Sequence, residues 1–149
     1  MRVTADDPLI DSNIGDKMIN DLVSNKADYC SNSIKRTYPL GMDLECFNFD
    51  TLKYVWENAT EGYQKQHVTA YILDNVDKFK IISEINEKDF SNYRWTVDTY
   101  EDYKFVNEIY SKIKNPFKFS WHEVIDLIYN NDYLMDINKH IEQKKHGEI

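Results

Sequence analysis

Arginine is scarce in this chain. Of 18 basic residues only three, Arg2, Arg36 and Arg94, are arginine, and 26 acidic residues bring the formal net charge to −8. That balance works against nucleic acid as a partner, because phosphate backbones are held by basic surfaces. No apolar run approaches the length of a membrane span and no signal-peptide core occurs, so the chain reads as cytoplasmic with no membrane partner. The two cysteines, Cys30 and Cys46, form no C-x-x-C pair and sit in apolar, strand-like text. They read as buried thiols of a reducing compartment. No serine stands in a G-x-S-x-G elbow and neither cysteine has an activating neighbourhood, so no nucleophilic triad is visible. His140 and His146 lack metal-ligand spacing. What is present suffices for a core: 149 residues, 42% hydrophobic and 14% aromatic, without repeats, low-complexity tracts or a linker. One domain over residues 1–149 is expected.

Strand-like and helix-like text alternates along the chain. A helix over 12–25, capped by Asp11 or Ser12, carries Ile14, Met18 and Leu22 on one face with Ile19 and Val23 beside them. A strand at 27–31 leads to a loop over 32–42 and then a strand over 44–49. Asp50 caps a helix ending near Gly62. A second helix over 63–75 would place His67 and Tyr71 one turn apart, either as a packed pair or as ligands. A strand follows at 79–85. Trp95-Thr96-Val97 reads as the central strand, closed by Asp98. Thr99 then caps an amphipathic helix reaching Lys114, with Asp102 completing the box. Pro116 breaks that helix. Ser120 to Glu123 is another capping box, and the tail from Asn130 reads as a surface helix or a frayed end. The alternation predicts an α/β sandwich with helices on both sheet faces.

Two acidic positions stand where such sheets place ligands, at the carboxyl ends of strands. Asp98 closes the central strand. Asp6 and Asp7 follow Arg2-Val3-Thr4, which reads as the tail of another strand stopped by Pro8. Mg²⁺ takes one or two such carboxylates and fills its remaining positions with water and phosphate oxygens. The alternative is that these residues are turns and caps. The arginines offer a rigid fork suited to carboxylate or phosphate, and structural ion pairs account for them equally well.

Several segments, in order, resemble one family. Residues 2–11, RVTADDPLID, and 94–106, RWTVDTYEDYKFV, are similar to the RVTGDCPLIDP and RWTVDTPEDL segments of SpsF-like cytidylyltransferases. These are relatives of the enzymes that activate sialic acid and Kdo with CTP. Between and after them lie Ala27–Asn32, Arg36–Phe47, His67–Ile72 and Phe119–Val124, also family-like. The resemblance implies a three-layer Rossmann-like nucleotide-diphospho-sugar transferase fold and transfer of CMP from CTP to a sugar for surface polysaccharide biosynthesis. It implies Mg²⁺ held by Asp6 and Asp98, with Arg94 pairing a carboxylate or ordering the Asp98 loop, and a sugar side lined by Arg36, Asp43, His67 and Tyr71. A homodimer is implied as well. The chain departs from the family at Gln66, where Glu is usual, and at Ala70, where Pro is usual.

The family's opening Gly- and Arg-containing loop, which cradles the CTP phosphates, has no counterpart among Gly15, Gly41, Gly62 and Gly147. The resemblance therefore implies the carboxyl-terminal portion of such an enzyme, truncated at the N-terminus. A silent dimerisation or interaction module derived from one, and an unrelated acidic α/β binding domain, are the competing readings. With at most three arginines, each contributing about 1.5–3 kcal/mol, set against about 4 kcal/mol for immobilising a ligand, CTP is expected to bind no better than millimolar. The isolated chain is expected to be inactive.

Overall fold

Residues 1–143 are described by the computed structural model, a mixed α/β structure whose chain divides into two units. The first comprises Met1–Val3, Ser12–Thr37 and Asp43–Lys88. It opens with helix α1 (Ser12–Ser24), which buries Ile14, Met18 and Leu22 as their spacing predicts, along with Gly15. The helix closes with a Schellman motif: the Ala27 N–H donates to Leu22 O at 2.9 Å and the Lys26 N–H to Val23 O at 3.1 Å. Lys26 takes the left-handed conformation this motif requires, with φ of 49°.

Strand β1 (Tyr29–Ser31) is fully buried and is the middle strand of the sheet. Strand β2 (Glu45–Phe47) runs antiparallel to it and β3 (Ile81–Ser83) parallel. Cys30 faces Cys46 across β1 and β2 as buried free thiols. Burial pushes both thiols up, Cys30 to about 12, with the facing Cys46 adding to the rise. Such thiols are inert, as the sequence reading expects. After β2 come α2 (Phe49–Asn58), α3 (Gly62–Gln66), α4 (Ala70–Asp74) and a single 3₁₀ turn, Val76–Lys78. Tyr29, Val55, Ala59, Tyr71 and Ile72 form the core here, with Phe47, Phe79 and Ile81 against it.

Several expectations for this unit need correction. The helix expected over 63–75 is interrupted at 67–69, and His67 caps α3 instead of facing Tyr71 along one helix. The chain leaves the helix at His67, whose ψ is 87°, while Thr69 has returned to the helical region and gives its hydroxyl to Glu45 Oε1 at 2.6 Å. The cap of α2 is Asn48, whose Oδ1 accepts the Thr51 N–H at 2.7 Å, and Asp50 lies in the first turn, where the helix dipole favours it.

The second unit comprises Thr4–Asp11, Tyr38–Met42 and the chain from Asp89 onward. Its helices are α5 (Tyr100–Lys112), α6 (Trp121–Tyr129) and α7 (Tyr133–Asn138). Both predicted capping boxes form, Thr99 with Asp102 and Ser120 with Glu123. Trp95, Phe105, Ile109, Val124 and Leu134 are all buried. Asp11, offered as a cap for α1, accepts the Trp121 N–H at the start of α6, at 2.9 Å.

The expected central strand at Trp95–Val97 does not form. Arg94 makes one isolated parallel bridge to Leu40, and the sheet's central strand is β1 instead. The partner segment cannot extend a ladder: Leu40 lies between Pro39, which has no N–H, and Gly41, which turns the chain at a φ of 97°. The tail is not frayed through α7, since Leu134 and Asn138 are buried. His146 lies outside the described residues.

A left-handed lysine carries a backbone penalty that glycine avoids. Lys26→Gly is therefore expected to raise the free energy of unfolding by about 0.5–1 kcal/mol in urea denaturation. An unchanged or lower value would contradict the assigned helix closure.

Candidate functional site

The residues singled out in the sequence fall into both units. The second unit brings its group together around the extended segment from Arg94 to Asp98. On one side Leu40 exchanges backbone bonds with it: the Trp95 N–H donates to Leu40 O at 2.6 Å and the Leu40 N–H to Tyr93 O at 2.9 Å. Gly41 makes the approach possible, because a Cβ there would lie 2.1 Å from Thr96 N. Elsewhere on the segment, the Val97 N–H donates to Asp6 O at 2.9 Å, and the Thr96 hydroxyl reaches Asp6 Oδ2 at 3.3 Å.

This pairing separates the roles of the two neighbouring aspartates. Thr4 and Asp7 close a turn on themselves, with the Thr4 hydroxyl donating to Asp7 Oδ2 at 2.9 Å and the Asp7 N–H to Thr4 O at 3.3 Å. Asp7 is buried by it. Asp6 is the half-buried one, held beside Thr96 and Val97, and Asp98 is the very next residue. Two carboxylates thus project from adjoining segments.

Asp98 is fixed from behind. Arg94 Nη2 donates to Asp98 Oδ2 at 2.8 Å and to Asp102 Oδ2 at 2.8 Å, while Arg94 Nε donates to Asp102 Oδ1 at 2.9 Å. Asp102 has no solvent exposure and Arg94 only 9%. Asp102 Oδ2 also accepts the Asp98 and Thr99 N–H groups at 3.1 and 3.0 Å, so one buried carboxylate holds both the arginine and the turn that carries Asp98. Of the two roles left open for Arg94, pairing a carboxylate is the one its contacts with Asp98 and Asp102 display.

A hard divalent cation fits this donor set within limits. Among the described residues no three His, Cys, Asp or Glu side chains gather as a metal cluster. Two carboxylates remain, Asp6 with a single weak hydroxyl contact and Asp98 with only Oδ2 engaged by Arg94. That is the pattern of an ion completed by water and phosphate oxygens, as Mg²⁺ is.

The other candidates lie in the first unit. Arg36 and Asp43 pair with each other through two bonds, Nη1 to Oδ1 at 2.5 Å and Nη2 to Oδ2 at 2.6 Å, both residues being partly exposed. Tyr71 is buried, edge-on to Tyr54 and Phe79, and its hydroxyl accepts from Lys78 Nζ at 3.3 Å. Arg2 pairs with Glu45 by side chain and by two backbone bonds. Glu45 also accepts the hydroxyls of Tyr29 and Thr69. Burial first, and Glu45 second, push the Tyr29 hydroxyl far above its usual value, so it remains a donor. All three arginines are therefore in ion pairs inside their own units, as the second of the two readings of arginine had it.

Sequence reasoning recognised Asp102 only as a helix cap, though its place in the box was a visible sign. Asn138, which touches Asp102, gave no signal. Neither did the Glu45 cluster.

Burial alone would raise the Asp102 carboxyl. Arg94, then Asn138, the Asp98 N–H and Thr99 outweigh it and hold the group at about 2, below its ordinary 3.8. A depressed carboxylate stabilises the fold fully above the ordinary value and loses that contribution as pH falls from 3.8 through 2. The difference is worth about 2 kcal/mol. Carboxyl-carbon NMR titration is expected to place the Asp102 midpoint near 2, and a midpoint near the ordinary value would contradict the buried pair.

Comparison with known proteins completes the picture. Residues 1–145 match the family model described as Cytidylyltransferase. The chain is 33% identical over 152 aligned residues to an uncharacterized protein of Methanocaldococcus jannaschii, covering 100% of this chain and 60% of that one. It is 30% identical over 138 residues to the spore coat polysaccharide biosynthesis protein SpsF of Bacillus subtilis, covering 88% of this chain and 55% of SpsF. A solved structure of a cytidylyltransferase from Leptospira borgpetersenii superposes with a TM-score of 0.83 at 32% identity, covering 94% of this chain and 58% of that one. The chain thus spans 55–60% of the length of these relatives.

Proposed function

This chain belongs to the cytidylyltransferase family, and from that premise we propose that the protein carrying it transfers CMP from CTP to a sugar used in surface polysaccharide. The observation that carries the reading is the Val97-to-Asp6 backbone pairing, which seats the Asp6 and Asp98 carboxylates on adjoining segments. In the proposed reaction a sugar hydroxyl attacks the α-phosphorus of CTP. Its oxygen–phosphorus bond forms as the bond to pyrophosphate breaks, and the hydroxyl proton passes to solvent. Asp6 and Asp98 would hold Mg²⁺, which when bound offsets charge on the phosphates. The chain's own residues contribute positioning: Asp102 fixes Arg94, and Arg94 fixes Asp98. Arg36, Asp43, His67 and Tyr71 are the sugar-binding candidates of the first unit. The cytoplasm, where CTP is made, is the compartment this reading requires. Among the described residues no helix is long and apolar enough to cross a membrane.

Calorimetry with Mg²⁺ and CTP tests the reading. Millimolar CTP binding is expected only with Mg²⁺ present, with a loss of about tenfold or more in Asp98→Asn and in Asp6→Asn. Equal binding of ATP, or no effect of either substitution, would sink the reading. Pyrophosphate release by the 149 residues alone would contradict the expected inactivity.

The homodimer is proposed on the outer face of α2. Phe49 and Trp56 are 76% and 78% exposed and border a cavity of about 940 Å³, with Leu52 and Val68 in its wall. An apolar patch of this kind is best covered by another protein surface, and a second copy is the partner the reading supplies. Sedimentation is expected to show a dimer that Trp56→Glu converts to monomer. A wild type that stays monomeric at high concentration would refute the dimer.

A further inference from the structure

The amide of Asn138 is buried, and its Nδ2 is shared between two acceptors of one network: Asp102 Oδ1 at 2.9 Å and the Arg94 carbonyl at 3.0 Å. It therefore ties the backbone of the extended segment to the carboxylate that grips the same residue's side chain. Gln143 takes Arg94 Nη1. With Nε and Nη2 already on Asp102 and Asp98, every nitrogen of the guanidinium has a carboxylate or amide partner, and its plane is set from several directions. An arginine so engaged has no fork left to offer a phosphate.

From this geometry we propose that α7 acts on the Asp98 carboxylate through a positioning chain, Asn138 to Asp102 and Arg94 to Asp98, so that a C-terminal helix governs how well Asp98 and Asp6 hold a divalent cation. The inference rests on the functional reading above. It assigns Arg94, Asp102 and Asn138 as positioning residues. The physical case is one of cost. Burying an amide is costly unless its N–H groups are met, so an apolar residue at position 138 would be the cheaper choice for packing alone. Asn138 instead meets that cost by locking the network, and α7 is itself anchored by fully buried Leu134. Groups behind a metal ligand orient it in this way, and their loss weakens metal binding by about 10–100-fold in known sites.

The test uses the full chain and Mg²⁺ alone, titrated calorimetrically against wild type, Asn138→Ala and Arg94→Lys, with amide NMR spectra recorded to confirm that each is folded. Lysine keeps the charge but not the fork, so Arg94→Lys guards against a failure of the alanine variant to fold. Folded variants are expected to bind Mg²⁺ about tenfold more weakly than wild type. A role in stability alone would lower the unfolding free energy and leave Mg²⁺ affinity unchanged. Equal affinity in wild type and both folded variants overturns this inference and leaves the functional reading standing. No Mg²⁺ binding by the wild type overturns the functional reading, and this inference with it.

Discussion

The second unit depends on one interaction, the buried ion pair between Arg94 and Asp102. Asp102 is fully buried, so its charge has to be met inside the protein. Arg94 meets it through two nitrogens, and Asn138, Thr99 and the Asp98 N–H occupy its remaining acceptor sites. Removing one member would leave a buried charge alone, at a cost of about 3–5 kcal/mol. The pair therefore fixes where the extended segment ends, how α5 begins and where the Asp98 carboxylate stands.

The proposed chemistry starts from a scarcity of positive charge. A chain with net charge −8 and three arginines could hold a polyphosphate only by concentrating compensation locally. Each arginine is already paired with carboxylates of its own unit. In the proposed reading a divalent cation on Asp6 and Asp98 would supply that positive charge, and it would ask only for the two carboxylates the fold brings to adjoining segments.

Local signals in the sequence carried far. The boundaries of α1, the capping boxes of α5 and α6 and the buried character of Cys30 and Cys46 were all legible, because each is decided by neighbours in sequence. The family itself was legible in RVTADDPLID and RWTVDT. What failed was decided at a distance. Trp95-Thr96-Val97 has strand composition but, among the described residues, pairs its backbone with Leu40 and Asp6 alone, bounded by Pro39, Gly41 and the Thr4–Asp7 turn. The 63–75 segment has helical composition, yet the chain leaves the helix at His67 and resumes it only at Ala70. Asp102 reads as a cap and is one, but its second role needs Arg94 eight residues earlier and Asn138 thirty-six later. No local pattern could reveal that.

The central claim is that Asp6 and Asp98 form one cation site held in place by Arg94. Manganese substituted for magnesium tests it most directly, because a paramagnetic ion broadens the NMR signals of nearby amides. The account predicts that the signals of Asp6, Val97 and Asp98 broaden first and that Asp98→Asn abolishes the effect. Broadening centred on other carboxylates, with those three signals left sharp, would contradict it.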